Sequence, residues 1–370
     1  MVKNGFDMKV EHPGKKIEAL LKATGMSRKE LAVRTTVTEK HINTLIAGEK
    51  KITTSYARKL GYVFDGMDAA AWQKLQNDYD MAQVEEKELN SISDVEIGIL
   101  KNLDEVFQYL VQYHNLQKTN NPVEKVMELR KKLKISDLAF IPHISYNAAY
   151  RAQLTSNVRV DPYVLFAWQS ICEIETSDIK ISSALNVERL KDQLEKIKTL
   201  MFDGINEGIQ KLQDILSGCG IAFNVVRNFR GAPVQGFIKH VTDNKYSQKL
   251  ILCLTLRRSR ADTFWFTLFH EIAHILNGDY TAKFVDFDSA NSAAEIKADK
   301  FARDFLIPPE EYMSFIQEHH DIRWVDIEQF AEQIKVKPFI VLGRLQKDQI
   351  LDWSDYGDHV DMYKWVNREN

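Results

Sequence analysis

Residues 263–276 read "TFWFTLFHEIAHIL", and no other stretch of the chain restricts its fold as much. Phe264, Trp265, Leu268, Phe269, Ile272, Ile275 and Leu276 leave only a narrow polar stripe on a helix, so the helix has to be covered on several sides. The stripe itself holds His270, Glu271 and His274, and buried polar groups need partners. Residues four apart lie one turn above each other, so the two histidines can direct ring nitrogens to one point beside the helix. Zinc held ~2.0–2.1 Å from each nitrogen fits that point. Glu271, one residue round the helix, then stands beside the metal rather than on it, where it can take a proton from bound water. The spacing assigns ligand, base and ligand in that order.

A third ligand must come from elsewhere, and the three cysteines, Cys172, Cys219 and Cys253, are far apart and never form a C-x-x-C pair. The metal is therefore held by His and carboxylates. Downstream, "SAAEIKADKFARDFLIPPEEY" has helical periodicity, with Glu295, Ala298, Asp299, Ala302 and Phe305 close to one face. Glu295 is the expected third ligand, and Asp299, one turn on, stands behind it to accept the other ring N–H of a ligand histidine. The exchange of these two roles stays open. His319 and His320 are adjacent and point in different directions, which makes them a third choice.

Before the histidine helix, "IAFNVVRNF" and "KLILCLTLR" are short, apolar and β-branched, and "GAPVQGFI" between them suits a turn and a further strand. From about 93 to 217 the pattern is helical and amphipathic, as in "VEKVMELRKKL" and "VERLKDQLEKIKTLMFDGINEGIQKLQDIL". The first 60 residues hold 13 Lys and Arg against 6 Asp and Glu, a net of +7 that leaves −10 for the remainder of a chain whose total is −3. A basic module on an acidic body suits nucleic-acid contact at one end. Within it, Ser27 with Glu30 reads as a capping box, Thr38 can cap the helix carrying Ile42, Leu45 and Ile46, and another helix starts near Thr53 or Thr54. Short helices joined by a three-residue turn are what a helix-turn-helix requires.

These patterns predict a mainly α chain with a small α+β domain. The expected divisions are a four- or five-helix DNA-binding domain at 1–77, a helical middle region at 78–217, and at 218–370 a hydrolase-like domain with a small β-sheet packed on the H-E-x-x-H helices. No run of eighteen apolar residues and no leader-type start are present, so membrane insertion has no signal and the cytoplasm is the expected location.

"FWFTLFHEIAH" followed by "EIKADKFARDFLIP" and preceded by a "LILCLTLR" strand resembles the ImmA/IrrE metallopeptidases. Many relatives carry a second glutamate immediately before the alanine of the second helix; here Lys297 stands there, which moves the ligand onto Glu295. "MSRKELAVRTTVTEKHINTLIAGEKKIT" resembles the Cro/CI-type helix-turn-helix, and its HigA-type antitoxin branch more closely. In that resemblance Ala32 is the small residue where two helices cross, Val37 and Ile42 are core positions, and Thr36 occupies a position where glycine is usual. It implies that Glu39, Lys40, Asn43 and Thr44 face base edges, and that Lys50 and Lys51 meet phosphates.

Together the two resemblances imply a regulator that binds double-stranded operator DNA as a homodimer and carries a zinc peptidase domain with one Zn2+ per chain. Its protein partner would be a cognate toxin or a repressor protein as substrate. Glu271 would be base and then acid; for the oxyanion donor, Arg257, Arg258, Tyr280 and His240 flank the site. The competing class is a repressor or antitoxin whose peptidase-like domain binds metal and a toxin or signal without cleaving.

Overall fold

The computed structural model describes residues 10–144, 149–151, 160–242, 248–281 and 293–365. The chain divides into two compact units, Met1–Asp94 and Val95–Asn370. The expected edge at 77/78 lies inside a single continuous helix, Ala69–Ser91, capped at its start by Asp68, whose carboxylate accepts from the Ala71 N–H at 2.8 Å.

The first unit is built from α1 (Gly14–Thr24), α2 (Arg28–Arg34), α3 (Glu39–Ile46), α4 (Thr54–Val63) and α5 (Ala69–Ser91). Hydroxyl caps set the helix starts: Ser27 accepts from the Glu30 N–H, Thr38 from that of His41 and Thr53 from that of Tyr56. Ile17, Leu31, Ile42, Leu45, Leu60 and Trp72 form its core. The turn between α2 and α3 passes through Thr36 with φ +55°, a left-handed conformation that glycine adopts at lower cost. Lys59 Nζ donates to the Thr36 hydroxyl at 2.7 Å and braces this turn.

The second unit begins with α6 (Asp94–Ile99), α7 (Asp104–Tyr113), α8 (Pro122–Leu133), α9 (Pro162–Ser177), α10 (Val187–Thr199) and α11 (Ile205–Gly218). A sheet follows: β1 (Ala149–Arg151), β2 (Ile221–Val225), β3 (Gly236–Thr242) and β4 (Gln248–Leu254), in the order β1-β3-β4-β2. β3 is antiparallel to both β1 and β4, and β4 is parallel to β2. The apolar run "LILCL" is explained by burial on both faces. Leu250, Leu252 and Leu254 point into the main core with α12 (Ala261–Asn277). Ile251 and Cys253 are equally buried but lie outside that core, as does Phe237, which meets Trp168 of α9 edge-on at 5.6 Å.

The remaining helices are α13 (Ala293–Leu306), α14 (Pro309–Glu318), α15 (Trp324–Gln333) and α16 (Pro338–Lys347). The chain is mainly α with a small mixed sheet, as its patterning implies. Cys172, Cys219 and Cys253 are buried free thiols. No helix of the described residues is long and apolar enough to cross a membrane.

Candidate metal centre

α12 is buried on nearly every side, from Ala261 through Ile275, and ends where Gly278 turns left-handed at φ +76°. α13 packs along it with two alanines, Ala298 and Ala302, fully buried at the crossing. Small residues there let the helices approach closely, and Glu295 and Asp299 on the same face of α13 arrive beside His270. Glu295 Oε2 lies 3.2 Å from His270 Nε2 and 3.8 Å from His274 Nε2, and the two Nε2 atoms are 3.1 Å apart. Ligands ~2.0–2.1 Å from a tetrahedral ion stand roughly 3.3 Å from one another. His270, His274 and Glu295 are the one group among the described residues with this convergence.

The far side of each ring determines what these atoms can do. Asp299 Oδ1 lies 2.7 Å from His270 Nδ1, and Asp279 Oδ2 lies 2.6 Å from His274 Nδ1. A carboxylate at Nδ1 places the ring hydrogen there, which leaves Nε2 with its lone pair turned inward. Two nitrogen lone pairs and a carboxylate oxygen facing one point repel unless a cation sits among them. Burial by itself would lower the His270 pKa, but its contacts with Asp299 and Glu295 and the charge of Glu271 raise it to about 9. The field that draws a proton there equally favours a divalent cation, and the donor set suits zinc.

Glu271 is 1% exposed and sits against the first residue of β3. A Cβ at Gly236 would stand 2.4 Å from Glu271 Oε1, so only glycine leaves the carboxylate its place.

The other candidates have contacts of their own. His319 ends α14 with Nδ1 2.9 Å from the Phe315 carbonyl, so neither it nor His320 joins the cluster. His240 packs its ring against Tyr280 at 5.1 Å, and its burial lowers its pKa. Arg257 donates to the Pro233 carbonyl at 3.3 Å. In the first unit Glu39, Lys40, Asn43, Lys50 and Lys51 are exposed, while the half-buried Thr44 donates its hydroxyl to the His41 carbonyl. Asn43 accepts from Arg28 at 2.9 Å, and Lys51 pairs with Asp80 at 2.8 Å.

Two residues here have no counterpart in the sequence reading, Asp279 and Gly236. For Asp279 a signal existed: a helix-ending glycine directly before an aspartate, five residues after His274, lets the chain fold the carboxylate back onto that ring.

The arrangement defines a class of site, a helical H-E-x-x-H pair completed by a glutamate of the following helix. Residues 238–346 match the Peptidase_M78 family, described as the IrrE N-terminal-like domain. His270, Glu271, His274, Asp279, Glu295 and Asp299 all fall within that segment, which is well under half of the chain. A comparison with curated proteins returns no match. Among solved structures, an addiction module antidote protein of the HigA family from Coxiella burnetii matches at 23% identity, over 28% of this chain and 95% of that one, with a TM-score of 0.20. A superposition at that score carries no argument.

Proposed function

We propose that this chain is a DNA-binding transcriptional regulator whose second unit is a zinc-dependent endopeptidase. The observation that supports it best is the meeting of His270 Nε2, His274 Nε2 and Glu295 Oε2 at one point, with Glu271 next to it and carboxylates behind both rings. When bound there, zinc lowers the pKa of a water molecule and polarises a peptide carbonyl. His270 and His274 hold their lone pairs inward because Asp299 and Asp279 hold their Nδ1 hydrogens. Glu271 takes the proton of the attacking water and delivers it to the departing amine. Its burial and the Gly236 contact keep the carboxylate from rotating away.

The first unit supports the DNA half. α2, the turn at Thr36 and α3 have the layout of a helix-turn-helix, with Glu39, Lys40 and Asn43 exposed along the start of α3. The residues proposed for operator contact are Glu39, Lys40, Asn43 and Thr44, with Lys50 and Lys51 on phosphates. The Lys51–Asp80 pair is exposed, and a phosphate can replace Asp80 at little cost. A homodimer would read paired half-sites. The cleaved partner would be a repressor protein or a cognate toxin.

Glu271→Gln decides the enzymatic half: metal content should stay near one zinc per chain while cleavage of a co-expressed partner stops. Cleavage persisting in that variant would overturn the assignment of the base. Footprinting of selected operators with Lys40→Ala and Thr44→Ala decides the other half, where an unchanged footprint would remove α3 from the base edges.

A further inference from the structure

A cavity of about 290 Å³ opens beside α12, one helical turn before His270. Phe266 and Thr267 line it from α12. Asp299, which holds the His270 ring, borders it from α13, and Gln235, the neighbour of the glycine that touches Glu271, borders it from the start of β3. The cavity therefore shares Asp299 with the metal centre and borders the residue before Gly236, and its volume suits a side chain rather than a folded surface.

Its polar groups are unevenly satisfied. Gln235 is 7% exposed, yet its Nε2 has no hydrogen-bond partner among the described residues. Buried donors are nearly always paired, so a buried, unpaired amide on a residue that borders a cavity is a place for an acceptor. The carboxylates around the cavity are engaged: Asp262 with Arg260, Asp299 with His270, and Asp348 with Arg344 and Tyr312. Arg303 is paired with Asp304. Arg258 and Lys347, both exposed at the lining, have no ion-pair partner among the described residues, so the surplus charge is positive.

We propose that this cavity receives an acidic side chain, glutamate or aspartate, of the polypeptide held across the metal centre, and that Gln235 and Arg258 determine that preference. The inference rests on the peptidase reading above. The Gln235 amide donates to the carboxylate inside, Arg258 and Lys347 favour its charge at the mouth, and the apolar walls at Leu306 and Ile340 take the methylenes.

The test uses the zinc-loaded full chain and four blocked dipeptide hydroxamates that differ in the side chain next to the hydroxamate: Glu, Gln, Leu or Lys. A hydroxamate binds the metal without turnover, so calorimetry reads the cavity directly. The Glu probe should bind about tenfold more tightly than the Leu probe, with Lys weakest. Arg258→Glu, an exposed change, should reverse the order of the Glu and Lys probes. Gln235→Leu, of similar volume, should shrink the advantage of Glu and Gln over Leu. Equal affinities for all four probes, or an unchanged order in Arg258→Glu, would overturn the cavity assignment and leave the metal centre standing. Failure of all four to bind would overturn the metal-centre reading and this inference with it.

Discussion

Gly236 and Glu271 are so close that a Cβ on the glycine would stand 2.4 Å from Oε1, 2.6 Å from Cγ and 2.7 Å from Cδ of the glutamate. The constraint is one of space, since Gly236 is not among the glycines with positive φ. β3 thus supports the carboxylate from below while α12 holds its Cα. Gly236→Ala should push the carboxylate away from its position by the better part of an ångström. A displacement of that size at a reacting group costs on the order of a hundredfold in rate. The three atoms nearest the new methyl all belong to Glu271 and none to a metal ligand, so zinc content should be retained. Metal analysis beside a cleavage assay checks this, and a wild-type rate in the variant would show that Glu271 tolerates the shift.

Asp279 and Asp299 each hold one histidine by its outer nitrogen. Replacing either by Asn keeps the shape and removes the charge that fixes the tautomer. Each single variant should lower zinc affinity by roughly 10- to 100-fold, measured by competition with a chromophoric chelator. The Asp279 variant is the more informative, because His274 is 0% exposed and its ring has fewer alternatives. Affinities unchanged in both would mean that the rings are oriented by packing alone.

Removing the metal should also weaken the second unit. Without a divalent cation the inward nitrogen of His270, whose pKa is raised to about 9, takes up a proton instead, and no single ion then ties His270, His274 and Glu295 together on the helix that anchors the core. Chelation should therefore lower the melting temperature of that unit, and zinc should restore it in proportion to its free concentration. The first unit contains none of these ligands, so its own unfolding should not move. Differential scanning calorimetry with and without chelator separates the two.

Much of this centre was legible because helical periodicity is short-range. His270, Glu271 and His274 on α12, and Glu295 with Asp299 on α13, are placed by spacing within single helices. Gly236 was not legible, since its role depends on a strand more than thirty residues away packing on one carboxylate, and no local pattern encodes that contact. Gln235 was hidden for the same reason. The stretch "QVEEKELNSISDVE", polar enough to pass for a linker, carries the solvated end of α5 as far as Ser91 and then the division between the two compact units at 94/95.

In the first unit Gly14 opens α1 against the end of α3, where a Cβ would stand 1.9 Å from the Leu45 carbonyl oxygen. The obstacle is backbone and cannot swing aside. Gly14→Ala should therefore separate α1 from α3 and destabilise this unit by about 1–3 kcal/mol, with loss of operator binding. Zinc affinity, which belongs to the other unit, should not change. Chemical denaturation followed by tryptophan fluorescence of the full chain, together with the chelator assay, measures both.

Arg323 and Asp326 close the start of α15. The Arg323 backbone N–H donates to Asp326 Oδ2 at 2.9 Å, and its guanidinium donates to both oxygens at 3.0 and 2.8 Å. Bonds from the Arg323 side chain first, and then from its backbone, hold the Asp326 carboxyl at about 2, below its unfolded value of ~3.9. A folded pKa below the unfolded one means the contribution is fully present above about pH 4 and is lost as pH falls through 2. Asp326→Asn should therefore unfold at lower denaturant than wild type at pH 7, and the gap should narrow steadily between about pH 4 and 2. A gap that stayed constant over that range would show that the carboxylate charge contributes nothing and that the cap works through its shape.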